Sequence, residues 1–92
     1  NESKQFHPKQ KVLGLKVNNT FKAYSLDDFK QAESSEINDT IDGVKVRIQY
    51  DKTAHSAIAF NAKNEQIVAL TSYWFAWYSF HPDTLVYEFD EN

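Results

Sequence analysis

The sequence predicts an α+β domain built mainly from antiparallel strands. Several short runs alternate apolar and polar residues, which is the pattern of strands with one buried face. Asn18-Asn19 and Asp42-Gly43 separate pairs of such runs, and these residues favour tight hairpin turns. Two other segments have helical spacing. Because a small twisted sheet must cover its own apolar face, we expect a small curled sheet or half-open barrel with one or two short helices.

Length, charge and composition limit the classes of protein that fit. The 92 residues suffice for one domain, which we place at residues 11–92 after a flexible or partly ordered segment at 1–10. The net charge is −3 and the 10 Lys and Arg residues are dispersed, which argues against a nucleic-acid partner. Without cysteine there is no disulfide and no thiolate ligand. No apolar run approaches the ~18–20 residues that a transmembrane helix needs.

The first half begins with a hairpin and a short helix. Lys11–Val17 and Thr20–Tyr24 alternate on either side of Asn18-Asn19 and are predicted strands. Ser25 is a predicted N-cap, with Asp28 three residues later in a capping-box position. Leu26 and Phe29 share a face at helical spacing, so we expect a helix from Leu26 to Ala32.

The middle of the chain is predicted to form an antiparallel meander. Glu36–Thr40 is extended, and Asp42-Gly43 leads into Val44–Tyr50, where Val44, Val46, Ile48 and Tyr50 share one face. We expect Gly43 to have positive φ in this turn. Two further strands are predicted, at His55–Asn61 and at Gln66–Leu70.

The segment from Ser72 to Tyr87 contains both tryptophans and the densest group of aromatic residues. Its pattern fits either a central strand or a helix; we favour a helix over Tyr73–Phe80, ended by His81-Pro82 and followed by a strand over Leu85–Phe89. In a small domain most of these rings have to be buried. We therefore predict that Trp74, Phe75 and Trp77 belong to the core.

A short internal similarity gives a topological prediction. Phe6-His7-Pro8 precedes the strand at Lys11–Val17, and Phe80-His81-Pro82 precedes the strand at Leu85–Phe89. Since the ends of a domain often lie close together, we expect these two strands to pair. A parallel pairing would place His7 and His81 at the same end of the sheet and permit a two-histidine site.

Several segments carry a resemblance to a known family. The most specific are Asn38-Asp39-Thr40 and Trp74–Thr84, supported by Val12–Val17, Lys22–Leu26 and Val46–Tyr50. Together they resemble the uncharacterised prokaryotic family catalogued as domain of unknown function 3179. The resemblance implies the fold and an exported, periplasmic or secreted bacterial protein, but no reaction. Members of the family tend to carry a Cys-x-x-Cys pair where this chain reads Asp51-Lys52-Thr53-Ala54, so any metal or redox chemistry of that pair is absent here.

Histidines and carboxylates supply the candidates for metal binding or hydrolysis. The pairs His55 with Asp51 and His7 with His81 are the main possibilities, and Asp83 lies two residues after His81. Their spacing matches no known ligand motif. Thr53 and Ser56 could act as nucleophiles beside His55, but adjacent residues of a strand point to opposite faces.

Aromatic and amide-bearing residues supply the candidates for binding. Trp74, Trp77 and Tyr78 could form a flat platform for a ligand, although burial in the core explains them better. Asn38 and Asp39 could bind a ligand, although such side chains commonly hold local backbone. The sequence favours a non-enzymatic binding or structural module with a protein or small-molecule ligand and no cofactor. The alternative is a metal-binding or small hydrolytic domain.

Overall fold

The structure, a computed structural model, describes residues 6–89, and it confirms the predicted class. Ten elements follow one another along the chain: β1 Lys11–Val17, β2 Thr20–Ser25, α1 Leu26–Gln31, β3 Glu36–Ile41, β4 Val44–Asp51, β5 Ser56–Asn61, β6 Gln66–Ile67, β7 Ala69–Tyr73, α2 Trp74–Phe80 and β8 Leu85–Val86. The segment at residues 1–5, where we expected a flexible start, lies outside the described residues.

The strands form two four-stranded sheets, and the described part of the chain contains no closed barrel. Sheet A has the order β7-β1-β2-β8 and sheet B the order β3-β4-β5-β6. The predicted meander is therefore sheet B, but the strand predicted at Gln66–Leu70 is divided at Val68. Its first part pairs with β5, whereas its second part begins β7 and pairs with β1. The chain thus crosses from one sheet to the other at Val68.

The main core lies between the two sheets. Leu13 and Leu15 point inward from β1, and Ile48 and Ala59 point inward from sheet B. The alternation within each strand places these residues on one face, and in β4 it leaves the polar Arg47 and Gln49 on the other. Helix α1 adds Phe29, whose ring stacks on that of Tyr50 with centroids 5.2 Å apart.

A second, smaller core lies on the opposite face of sheet A. Trp74 and Trp77 of α2 pack there against Val12 and Ala23. Only glycine fits beneath Trp77, because a Cβ on Gly14 would lie 2.3 Å from the Trp77 ring. No side chain caps α2. Instead, the N–H groups of Trp74 and Phe75 donate to the Gln10 and Pro8 carbonyls at 2.7 and 2.9 Å, which satisfies two of the free donors of a helix start.

The aromatic segment is a helix as predicted, but the prediction that all three of its residues Trp74, Phe75 and Trp77 belong to the core is wrong for Phe75. Trp74 is 3% and Trp77 5% exposed, whereas Phe75 is 53% exposed. A helix advances about 100° per residue, so a helix lying on a sheet can bury Trp74 and Trp77, three positions apart, while Phe75, the residue after Trp74, points to the side. The Phe75 ring instead stacks on the half-exposed Tyr73, with centroids 6.0 Å apart.

The local turn and cap predictions are confirmed. Gly43 has a φ of +79° and Asp42 one of +51°, as a tight hairpin with two positive φ angles requires. Asn18 also has positive φ, and its amide donates to the Asp42 carboxylate at 2.9 Å, so the tips of the two hairpins are joined. The Ser25 hydroxyl accepts from the Asp28 N–H and caps α1.

The predicted pairing of the two terminal strands is wrong. β8 is shorter than expected and pairs in parallel with β2, through Lys22 opposite Leu85 and Ala23 opposite Val86. β1 has no edge left for it, because β2 occupies one side and β7 the other. The similarity between the two Phe-His-Pro segments therefore does not reflect neighbouring strands.

Candidate functional site

An ionic cluster lies near the junction of the two sheets. Asp39 of β3 accepts from the Tyr24 hydroxyl at 2.6 Å and from the Lys22 ammonium at 2.8 Å. The backbone N–H of Thr40 donates to the other carboxylate oxygen at 2.8 Å. Tyr24 is fully buried, and its ring stacks on that of Tyr87 with centroids 5.3 Å apart. The cluster connects β2 of sheet A with β3 of sheet B.

The electrostatics of this cluster suit a permanent internal link. Burial alone raises the pKa of Asp39, but the hydrogen bonds from Lys22, Tyr24 and Thr40 together with the Lys22 charge outweigh it and hold that pKa below its ordinary value. Burial, followed by the bond to Asp39 and its negative charge, raises the pKa of the Tyr24 hydroxyl. Near neutral pH the carboxylate is therefore charged and the phenol protonated, which keeps the bond between them intact.

A second polar chain joins the β4–β5 turn to helix α1. The Tyr50 hydroxyl lies 2.5 Å from His55 Nδ1, and His55 Nε2 lies 3.3 Å from a carboxylate oxygen of Asp27. Burial, and then the charges of Asp27 and Asp51, raise the pKa of Tyr50, so the phenol keeps its proton and can donate a hydrogen bond to Nδ1. Both ring nitrogens are thereby engaged. His55 therefore connects the turn to α1, and it has no free ring nitrogen with which to act as a general base.

The other histidines and their candidate carboxylates are used locally. Asp51 accepts from the N–H groups of Thr53 and Ala54 and holds the turn. His81 stacks on Phe21 at 3.8 Å between ring centroids, and His7 Nδ1 accepts from the Lys9 N–H at 3.1 Å. Asp83 is exposed. Among residues 6–89 no three His, Asp or Glu side chains come close enough together to hold a metal ion.

The outer face of sheet B carries a different kind of site, centred on Arg47. Arg47 lies in the middle of β4, with Asn38 opposite it on β3 and Phe60 opposite it on β5. Its guanidinium lies 4.4 Å from the centroid of the Phe60 ring and bonds to the Asn64 side-chain oxygen. Contact with the aromatic ring and the bond to Asn64 restrict the position of the guanidinium and leave part of its fork of five donors free.

The β5–β6 turn holds Asn64 in place beside Arg47. The Asn61 side-chain oxygen accepts from the N–H groups of Lys63 and Glu65, both at 2.9 Å. The Asn64 N–H donates to the Asn61 carbonyl, also at 2.9 Å, and Asn64 has a φ of +69° that asparagine tolerates well. Asn61 thus organises the turn, and the turn supports the position of Arg47.

These groups surround an open depression, which we call the Arg47 depression. It has a volume of about 310 Å³ and is lined by Asn38, Lys45, Val46, Arg47, Asn61, Ala62 and Asn64. Two lining residues are cations and none is acidic. Within residues 6–89 neither Lys45 nor Arg47 forms an ion pair with a carboxylate. In a chain of net charge −3, this is a local positive site with free donors.

The candidate binding residues from the sequence are divided among these places. Trp74 and Trp77 are buried in the smaller core, and Tyr78 packs beside them. Asp39 belongs to the internal cluster, whereas its neighbour Asn38 faces the Arg47 depression. Sequence reasoning missed Arg47 and Asn64. The alternation of β4 sets Arg47 on the face opposite Val46 and Ile48, but only the register of the two strands brings Phe60 beside it.

Comparison with models of known protein families, with curated proteins and with solved structures gives no match. Neither helix of the described chain has the length and apolar character needed to cross a membrane.

Proposed function

We propose that the protein is a non-enzymatic binding module whose ligand surface is the Arg47 depression, and that the ligand group it takes is a carboxylate. The observation that carries the proposal is that Lys45 and Arg47, two cations on a solvent-facing sheet, form no ion pair with a carboxylate within residues 6–89. Arg47 is held by Phe60 and Asn64, so its remaining donors are fixed in direction. A fixed guanidinium fork matches the two oxygens of a carboxylate.

The other lining residues add to this preference. Asn38 offers an amide beside Arg47, and an amide can donate to one ligand oxygen while accepting from another group. The depression is open, which suits a terminal group or side chain of a larger ligand better than an enclosed molecule. The internal polar clusters at Asp39 and His55 have structural partners for their groups, so neither is needed to explain binding.

We also propose that the chain is a member of the family catalogued as domain of unknown function 3179, which it resembles. Tyr24 and Asp39 come from two separate matching segments, and the 2.6 Å bond between them supports a shared structural role for those segments. Membership would make the protein an exported bacterial one. A structure of a relative that carries the Cys pair tests this: the same Tyr–Asp bond between the sheets is expected, and a different topology would contradict it.

Isothermal titration calorimetry with two carboxylate probes tests the binding function. Glutarate represents a small free acid and a hexaglutamate peptide represents acidic side chains on a chain, so the two arms distinguish the source of the carboxylate. We expect Arg47→Gln to weaken binding about tenfold or more, since a charge-assisted hydrogen bond contributes ~1.5–3 kcal/mol. Added salt should weaken it as well.

Lys30→Gln is the matched control, because Lys30 is an exposed cation at the end of α1, away from the depression. Its variant should bind like the wild-type protein. Equal binding by Arg47→Gln and Lys30→Gln would show that only overall charge matters. Absence of heat with both probes would reject the carboxylate as the ligand group.

A further inference from the structure

The longest stretch of the chain without Asp, Glu, Lys or Arg runs from Gln66 to Pro82. It contains all of β7, which is an edge strand of sheet A. Protein sheets usually protect an exposed edge with charged side chains or with proline, because an open edge can pair with another strand. β7 contains neither, although the chain has 10 basic and 13 acidic residues elsewhere.

The register of β7 shows which backbone groups face the open side. Leu70 lies opposite Gly14 and Ser72 opposite Val12, and the next pair in this series is joined by the Trp74 N–H bond to the Gln10 carbonyl. In an antiparallel ladder the residues of that series direct their N–H and C=O groups to the partner strand, and the residues between them direct theirs away. Thr71 therefore presents its N–H and C=O at the edge and Tyr73 presents its N–H, whereas the Tyr73 carbonyl accepts from the Ser72 hydroxyl at 3.1 Å.

Apolar side chains accompany this edge. Val68 is 82% exposed and Leu70 59% exposed. Tyr73 and Phe75 are also exposed, and their stacked rings form a flat apolar surface where the strand meets α2. Exposed apolar groups beside unpaired backbone are the combination found where sheets extend across an interface.

We propose that β7 pairs antiparallel with the β7 of a second copy of this chain, about a two-fold axis through Thr71. This axis places Thr71 opposite Thr71 of the copy and Tyr73 opposite Ala69 of the copy. These are the residues whose backbone groups face outward, so the edge is complementary to itself. The two copies of sheet A then form one continuous sheet.

Charge favours a second copy as the occupant. Each chain has a net charge of −3, so two copies repel one another over most of their surfaces. The stretch that contains β7 has no charged side chain, so its own residues add no repulsion between two copies, although the Lys11 ammonium lies 6.0 Å from the centroid of the Tyr73 ring. The Arg47 depression lies on the outer face of the other sheet, so pairing leaves it open, and this inference does not depend on the proposed function.

Sedimentation velocity over a range of concentrations tests the pairing. A standard interface buries ~800 Å² per partner, and a five-residue edge with a few side chains buries less, so we expect weak association that is visible between ~10 μM and ~1 mM. The mass of the wild-type protein should rise from that of one chain, 10.7 kDa, toward twice that value.

Thr71→Lys is the variant that opposes pairing, because it places two positive charges opposite each other at the axis. Thr71 is exposed, so the fold should tolerate the change. Thr40→Lys is the matched control, since Thr40 is an exposed threonine on an edge strand of sheet B. We expect Thr71→Lys to stay at 10.7 kDa throughout and Thr40→Lys to associate like the wild-type protein.

Two results would overturn the proposal. One is a wild-type protein that remains a single chain at the highest concentration. This result would overturn the proposal even if the edge bound an added peptide strand. The other is association of Thr71→Lys that equals that of Thr40→Lys. Amide hydrogen exchange gives an independent readout, because the Thr71 and Tyr73 amides should become protected as concentration rises.

Discussion

Sheet A is covered on both faces, by the main core on one side and by α2 on the other, whereas sheet B leaves its outer face in solvent. The difference decides what each sheet can do. On sheet A, Val12 and Ala23 are fully buried beneath the two tryptophans. On sheet B, the corresponding outer positions carry Asn38, Arg47 and Phe60. Aromatic residues therefore act as packing in one sheet and as a support for a cation in the other.

Replacing one aromatic residue at the outer face of each sheet should give the largest difference in the free energy of unfolding. Trp77→Ala removes a ring that is packed against sheet A and bonds to Thr84 through its indole N–H at 2.9 Å, so we expect a loss of ~3–5 kcal/mol in the free energy of unfolding. Phe60→Ala on sheet B removes mainly a cation–aromatic contact and should cost about 1 kcal/mol. Urea denaturation measures both values. Similar losses would mean that the two outer faces are equally buried.

The two glycines sharpen the comparison, because each is required for a different reason. Gly14→Ala places a methyl group against the Trp77 ring and should destabilise the protein by about 3 kcal/mol through overpacking. Gly43→Ala meets no atom within 4 Å, and its cost of about 1 kcal/mol comes only from positive φ. Thermal unfolding of the two variants checks the order. If the clash is with Trp77, Gly14→Ala should cost less in a Trp77→Leu background than in the wild-type protein.

The pH dependence of stability tests the link that Asp39 forms between the two sheets. Its pKa is lower in the folded protein than the ordinary value of 3.8, so its contribution to stability is present above that value and is lost as pH falls through the folded pKa. Asp39→Asn should lower stability at neutral pH by about 2 kcal/mol and flatten the decline in this acidic range. Asp83→Asn, at an exposed carboxylate, is the control and should have nearly the wild-type stability at neutral pH.

Features decided by neighbouring residues were predictable from the sequence. The turns at Asn18-Asn19 and Asp42-Gly43 and the helix cap at Ser25 follow from local conformational preferences and hydrogen bonding. The aromatic segment was resolved as a helix because His81-Pro82 supplies a clear end. Periodicity also grouped the inward residues Val46, Ile48 and Tyr50 of β4 on one face, although Val44 at the start of that strand is 37% exposed.

Features decided by distant parts of the chain were not predictable in the same way. The predicted strand Gln66–Leu70 divides at Val68 because one edge of β1 is open to β7. With both edges of β1 then occupied, β8 pairs with β2 instead. The exposure of Phe75 depends on which face of α2 meets sheet A. Asn64 could not be placed beside Arg47 without the geometry of the turn organised by Asn61.

Mapping of ¹⁵N–¹H chemical shifts during titration with the hexaglutamate peptide tests most directly whether sheet B is the binding surface and sheet A the scaffold. The account predicts that shifts concentrate at Arg47, Phe60 and Asn64, and that the indole N–H signals of Trp74 and Trp77 stay in place. Movement of the two indole signals and of β7, with Arg47 unchanged, would contradict it and assign binding to the aromatic side of sheet A.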